Sequence, residues 1–208
     1  MPGVENFLDA YIPSGAGEAL GVAREVALDV GANHGVWSRY LADRYAAVYA
    51  VEANPALHEE LTHLHPNVQL LPVGAWSRAE RRTFTQFALD GNTSTAEGWT
   101  GIMAGPPVGS FEAECAPIDM LAREGRIKGR VAFLKIDVEA AEVEVLRGAR
   151  ITIEHDRPHA IIEVHSYGWM SQKLMEAWGY RVTLVRHPYY SEGDAWWDKH
   201  YWLVCEPA

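Results

Sequence analysis

Short apolar runs alternate along the chain with stretches whose apolar residues recur every three or four positions. Five runs read as strands: Val26–Val30, Ala47–Val51, Val68–Val73, Val131–Val138 and Ala160–Val164. Their unbroken hydrophobicity suits strands buried on both faces of a parallel sheet. The periodic stretches read as helices over Val36–Tyr45, from Asn54-Pro55 onward, and over Glu139–Arg150. Asn54 suits the cap of the second helix and Pro55 its first turn. The third helix would bury Val143 and Leu146 and leave Glu142 and Glu144 on a solvated face. The alternation predicts an α/β fold, a mostly parallel sheet with helices on both faces. Residues 81–90 and 110–118 break it and read as a β-hairpin insertion. Between them, residues 91–110 are rich in Gly, Thr and Pro and read as a long loop, a candidate lid. Arg181–Arg186 and Tyr201–Cys205 read as an antiparallel pair that closes the sheet. Phe7, Leu8 and Tyr11 suggest a short N-terminal helical cover over residues 1–20. A single domain over residues 1–208 is expected.

Composition narrows the classes. The 208 residues are 48% apolar and 22% charged, the balance of a globular domain rather than a disordered chain. Eighteen Lys and Arg against 28 Asp and Glu leave a net charge of −10. That balance disfavours a nucleic-acid partner, which needs clustered cations on phosphates. No apolar run approaches the roughly 18–20 residues of a membrane-spanning helix, so no membrane partner is expected. The start, MPGVENFLDAYIPSG, has neither a basic nor an apolar leader segment. With only Cys115 and Cys205, both thiols are expected reduced and the location cytoplasmic.

The chemistry concentrates at the carboxyl ends of the strands. Leu28-Asp29-Val30-Gly31-Ala32-Asn33-His34-Gly35 carries the first strand into the first helix. Glycine in such a turn lets backbone approach a ligand closely. Asp29 at the strand end can orient the loop or accept from a cationic ligand. Glu52 ends the second strand, 23 positions after Asp29, where a carboxylate can accept from both hydroxyls of a ribose. The pair implies a nucleoside-containing cofactor. Asn33 stands where a dinucleotide fingerprint has its second glycine, and no Gly-Lys-Ser/Thr follows. The spacing therefore favours S-adenosylmethionine over NAD, and an NAD-linked oxidoreductase is the lesser reading.

LDVGANHG, VEANP, VGAWS, FLKIDVEAAEVEVLRGA and IIEVH, in this order over roughly residues 26–165, resemble the FkbM-type methyltransferases. The resemblance implies a class I Rossmann-like, doubly wound fold and an S-adenosylmethionine-dependent O-methyltransferase. It implies a small-molecule, sugar or glycan hydroxyl as substrate. Gly31, Ala32, Asn33 and Gly35 match the loop under the methionine and ribose. Glu52 matches the ribose acid, with Asn54 beside it. Gly74, Ala75 and Trp76 match the segment that lines the adenine, and Asp137 the acid near the methyl group. Two positions depart from the family pattern: Ala140 replaces the glycine of D-V-E-G, and His34 replaces an aliphatic residue.

Methyl transfer from a sulfonium is an in-line displacement that needs an aligned acceptor and a place for its proton. Asp137 and Glu139, two positions apart at a strand end, and His165, just after the fifth strand, are the candidate catalytic residues. The same carboxylates also suit the amino end of the following helix. Asp137, Glu139, Glu163 and His165 would suit a divalent metal, but their spacing is no recognised metal signature, and none is expected. His63 and His65 lie before Pro66 and read as an exposed turn. Trp169, Tyr189, Tyr190, Trp196 and Trp197 read as core and edge packing. N-methylation is the second reading within methyl transfer. The Asp137-Val138-Glu139 segment counts against it, because exocyclic-amine enzymes carry Asn/Asp-Pro-Pro-aromatic there. A non-catalytic adenosylmethionine-binding protein is a third, which the retained pair Asp137 and Glu139 argues against.

Overall fold

The computed structural model describes residues 11, 25–87, 93–94, 106–165, 168–186 and 200–208. The helical cover (apart from Tyr11), most of the 91–110 loop, Tyr189, Tyr190, Trp196 and Trp197 lie outside the described residues. The chain runs through β1 (Glu25–Val30), α1 (Val36–Ala42), β2 (Ala47–Val51), a 3-10 turn (Pro55–Leu57), α2 (His58–Thr62) and β3 (Val68–Leu71). Next come β4 (Gly74–Ala75), β5 (Glu80–Phe87), β6 (Thr93–Ser94), β7 (Pro107–Ala116) and α3 (Ile118–Arg123). They are followed by β8 (Arg130–Ile136), α4 (Glu142–Gly148), α5 (Arg150–Asp156), β9 (His159–Val164), α6 (Gly168–Ala177), β10 (Tyr180–Arg186) and β11 (Tyr201–Pro207).

Seven strands form the main sheet in the order β10-β11-β9-β8-β1-β2-β3. β9, β8, β1, β2 and β3 are parallel, while β11 runs antiparallel to both β9 and β10. The expected Rossmann-like sheet and antiparallel closing pair are thus present. Alternate residues of β1 serve two cores: Val26, Leu28 and Val30 pack in one, and Ala27 in the other. β9 divides likewise, with Ala160, Ile162 and Val164 on one face and Ile161 on the other. Apolar residues cover both faces, which is why these strands read as continuous hydrophobic runs.

From β1 the chain proceeds outward to β2 and β3, then returns to place β8 on the other side of β1. The strand order reverses between β1 and β8. Ligands of open α/β sheets bind beyond the carboxyl ends of the strands at such a reversal. Gly31 follows β1 there and Asp137 follows β8, joined by a bond from Asp137 N to Val30 O of 3.0 Å.

Several expected boundaries move. β3 stops at Leu71, and Gly74–Ala75 leaves the main sheet to pair in parallel with Cys115–Ala116 of β7. β5 and β7 pair antiparallel from Glu80↔Cys115 to Phe87↔Pro107, so the expected hairpin is the centre of a four-stranded second sheet. The stacked rings of Phe84 and Phe111, 5.3 Å apart, fix its register. The helix expected over 139–150 is two helices that meet at Ala149, and the first begins only at Glu142. Glu139 and Ala140 cause the delay. Both take positive φ, 49° and 74°, and form a turn instead of a first helical turn. Neither Asp137 nor Glu139 caps α4, whose N-cap is Ala141.

Candidate active site

The cleft at the strand reversal is built from four turns. The turn after β1 brings Gly31 against the end of β8: a Cβ at Gly31 would lie 1.8 Å from Asp137 O, and its φ is +75°. Only glycine fits that crossing. Gly31 N and Ala32 N both donate to Val51 O, at 2.9 and 3.2 Å, so the turn is bound to the end of β2. Asn33, at φ 49°, donates its N–H to Glu52 Oε2 at 2.9 Å. Gly35, also left-handed, starts α1.

Glu52 is buried and accepts a second backbone bond, from Asn54 N to Oε1 at 2.8 Å. Burial raises its pKa, against the two amide bonds. Each carboxylate oxygen keeps a further lone pair for a ligand hydroxyl. The Asn54 side chain accepts from Ala56 N at 3.0 Å with Pro55 at the first position of the turn, as expected. Asn54 therefore shapes the wall beside Glu52.

Gly31, Asn33, Glu52, Asn54, Gly74, Ala75, Trp76, Asp137 and Glu139 line one cavity, so nine expected site residues converge from four parts of the chain. Ala53, Leu57, Val73, Phe84 and Val138 supply its apolar wall, and sequence reasoning missed them because they look like any core residues. Arg82 stacks on Trp76 at 4.1 Å and fixes that ring. Asn33 Oδ1 and Trp76 Nε1 are buried without a hydrogen-bond partner among the described residues. Two unsatisfied polar atoms on the walls of a cleft with a ribose-type acid fit a nucleoside cofactor.

Other expected residues sit elsewhere. Ala32 and Gly35 support the turn without lining the cavity. His34 points outward and pairs with Glu60 at 2.8 Å. Asp29 lies beneath the cleft, fully buried, where it accepts from Ser38 Oγ at 2.6 Å and pairs with Lys135 Nζ at 2.9 Å. Its cationic partner is thus a protein side chain. Lys135 also donates to Gly31 O at 2.7 Å and stands 3.6 Å from Asp137 Oδ2. Burial opposes its charge, but Asp29 and Asp137 outweigh that and raise its pKa above the ordinary lysine value. Sequence reasoning missed Lys135, although a lysine inside a strand buried on both faces calls for a carboxylate beside it.

At the far edge of the cleft, β8 and β9 end side by side. His165 Nδ1 lies 2.9 Å from Glu142 Oε1, and His165 N donates to the same oxygen at 3.2 Å. Nε2 faces Glu139 Oε2 at 3.5 Å, Asp137 Oδ1 at 3.8 Å and Glu163 Oε1 at 3.9 Å. His200 pairs with Glu163 Oε1 at 2.8 Å and packs its ring 4.6 Å from that of His165. Burial raises Glu139 to about 7 and Glu163 to about 8. Burial works against a charged His165, yet Glu139, Glu142 and Glu163 carry its pKa well above the usual value. Burial and the neighbouring His165 lower His200 to about 4. Glu142 overturns its expected place on a solvated face: it is 1% exposed. The left-handed turn at 139–140 rotates the start of α4 so that this carboxylate reaches His165 and accepts from Ala140 N at 3.1 Å.

A Rossmann-like sheet with a glycine turn after β1, a buried acid after β2 and paired acids after β8 defines a methyltransferase of the S-adenosylmethionine-dependent class. The methyltransferase FkbM domain model matches residues 29–182, and the chain belongs to that family. Among solved structures it is similar to methyltransferase FkbM from Methylobacillus flagellatus KT, with a TM-score of 0.56 and 16% identity over 87% of this chain. The chain spans 43% of that protein's length. It is also similar to precorrin 8w decarboxylase from Methanobacterium thermoautotrophicum, with a TM-score of 0.56, 16% identity, and coverage of 99% of this chain and 89% of that one. Aeropyrum pernix fibrillarin, solved with natively bound S-adenosylmethionine, has a TM-score of 0.50 and 12% identity, and the match covers 88% of this chain and 66% of that one. No curated protein sequence matches the chain. Among the described residues no helix is long and apolar enough to cross a membrane.

Proposed function

We propose that this methyltransferase acts on a hydroxyl group of a small molecule, sugar or glycan. The observation that carries the reading is the edge of Asp137, Glu139 and His165 beside the cofactor cleft, with His165 Nε2 at 3.5 Å from Glu139 Oε2. S-adenosylmethionine, when bound, supplies a methyl carbon activated by its sulfonium. Glu52 and the Asn33 turn take the nucleoside end. Trp76 and the apolar wall of Leu57, Val73 and Phe84 exclude water from the flat base. Asp137 and Glu139 then face the place where the acceptor oxygen must lie. Their carboxylates orient the hydroxyl and receive its proton, and the His165 imidazole beside them holds them in place.

Hydroxyl methylation suits this edge better than amine methylation, because a hydroxyl must lose a proton to become a good nucleophile. A charge of −10 sets the protein against nucleic-acid acceptors. The test is an acceptor screen with methyl-labelled S-adenosylmethionine over hydroxylated small molecules, sugars and glycans, beside amine analogues. The label is expected in a methyl ether. Label only in amines would overturn the reading.

A further inference from the structure

Four carboxylates converge on one buried imidazole at the ends of β8 and β9, and the imidazole is already oriented. His165 has a side-chain exposure of 7%. Its Nδ1 is engaged by Glu142 Oε1 at 2.9 Å, which makes Nδ1 the donor and turns Nε2 toward the other carboxylates, where a cation would take the place of a proton. A carboxylate behind a histidine is the usual support of a metal-binding ring, because it sets the tautomer and the ring direction. Nε2 points at three oxygens, at 3.5, 3.8 and 3.9 Å. These separations are long for hydrogen bonds. They match atoms that share one cation: ligands about 2.1 Å from a metal lie about 3.0 Å apart when adjacent and about 4.2 Å apart when opposite. The ligand atoms of Asp137, Glu139 and His165 all fall within 4.8 Å of one another.

We infer that the chain binds one divalent first-row cation, of Mn2+ type, through His165 Nε2, Asp137 Oδ1 and Glu139 Oε2. Imidazole among carboxylates favours such an ion over Mg2+ and Ca2+, which take oxygen alone, and no thiol is present to select a softer metal. Glu163, His165 and His200 also lie within ligand distance of one another, but the single lone pair of Nε2 serves one ion. His200 Nε2 lies 2.8 Å from Glu163 Oε1, and its ring packs beside that of His165. Lys135 stands near Asp137 Oδ2 and leaves Oδ1 turned toward His165.

The inference rests on the hydroxyl-methylation reading for its purpose, though not for its geometry. Asp137 and Glu139 line the cleft, so an ion between them meets the acceptor oxygen. A Lewis acid there lowers the pKa of the hydroxyl. The O–H bond gives its proton to a carboxylate of this edge and from there to solvent, the C–S bond breaks and a C–O bond forms. The products are a methyl ether, S-adenosylhomocysteine and a proton, with no change of oxidation state.

The experiment strips the full chain with EDTA and titrates it with MnCl2, reading free Mn2+ by electron paramagnetic resonance. Calorimetry with S-adenosylhomocysteine runs in parallel. Wild-type protein is expected to bind one Mn2+ per chain. Glu142→Gln, acting through the ring of His165, should weaken it about 10–100-fold. Glu139→Gln, which removes a direct ligand, should weaken it at least as much, with circular dichroism confirming the fold of each. No Mn2+ binding by wild-type protein below about 1 mM overturns the site. Binding that both folded variants retain at full strength also overturns it. Loss of S-adenosylhomocysteine binding with Mn2+ binding intact would instead sink the methyl-transfer reading and leave the cation site standing.

Discussion

Lys135 Nζ stands 2.9 Å from Asp29 Oδ1, with side-chain exposures of 2% and 0%. The same ammonium donates to Gly31 O at 2.7 Å. One buried cation therefore joins β1, the turn after it and β8, the three pieces whose meeting forms the floor of the cleft. The parallel register sets Asp29 opposite Lys135, and so creates the pair.

Replacing Lys135 by methionine should cost far more than the pair itself contributes. The chain would keep a buried Asp29 with Ser38 as its remaining hydrogen-bond partner among the described residues. Breaking one side of a buried pair costs about 3–5 kcal/mol. The denaturation midpoint of Lys135→Met should fall by an amount equivalent to that range in urea titration. A change under about 1 kcal/mol would show that water reaches Asp29, contrary to its burial.

Glu52 predicts the strength of cofactor binding. Its oxygens hold Asn33 N and Asn54 N, and so preset the turn on either side of the nucleoside. Glu52→Gln keeps the size but exchanges one acceptor for a donor and removes the charge. A hydrogen bond to a charged group contributes about 1.5–3 kcal/mol. S-adenosylhomocysteine should therefore bind about 10–150-fold more weakly to Glu52→Gln in calorimetry. Unchanged affinity would remove Glu52 from the nucleoside site.

How much of this was legible in the sequence follows from how local each feature is. The glycine turn, the acid after β2 and the acids after β8 each lie within a strand and the residues that follow it. Their spacing along the chain therefore carried them to one cleft. Glu142 was misread because helical periodicity assumes that a helix begins where its pattern begins, whereas the left-handed pair at 139–140 restarts it. The partnership of Asp29 with Lys135 depends on the register of β1 against β8, residues over a hundred positions apart, and no local pattern reports it. His200 reaches Glu163 only because β11 returns antiparallel beside β9, with Trp202 opposite Glu163.

The two cysteines should be inert in the folded chain. Both are free and buried, on different sheets. Burial pushes the Cys115 thiol up to about 11, and it raises Cys205 as well. A raised thiol pKa means less thiolate: at pH 8, Cys115 would be ionised about one part in a thousand. A thiol-reactive chromophore at pH 8 should label neither cysteine in native protein and both in denaturant. Fast stoichiometric labelling of the native chain would contradict this packing.

Ala140 offers a stabilising substitution at the edge of the site. Its φ of 74° lies in the left-handed region, and its neighbour Glu139 sits there too. For a residue with a Cβ that conformation costs about 1–2 kcal/mol. Glycine removes the steric cost, but a more flexible unfolded chain offsets about 0.5–1 kcal/mol of the gain. Ala140→Gly should therefore raise stability by roughly 0.5–1 kcal/mol, a rise of about 1–4 °C in Tm for a chain of this length. The bond from Ala140 N to Glu142 Oε1 at 3.1 Å needs no side chain and survives the change. Calorimetric melting checks it. A lower Tm would mean that the alanine methyl makes packing contacts worth more than the strain, and that the turn at 139–140 owes its shape to that methyl rather than to the bonds of Glu142.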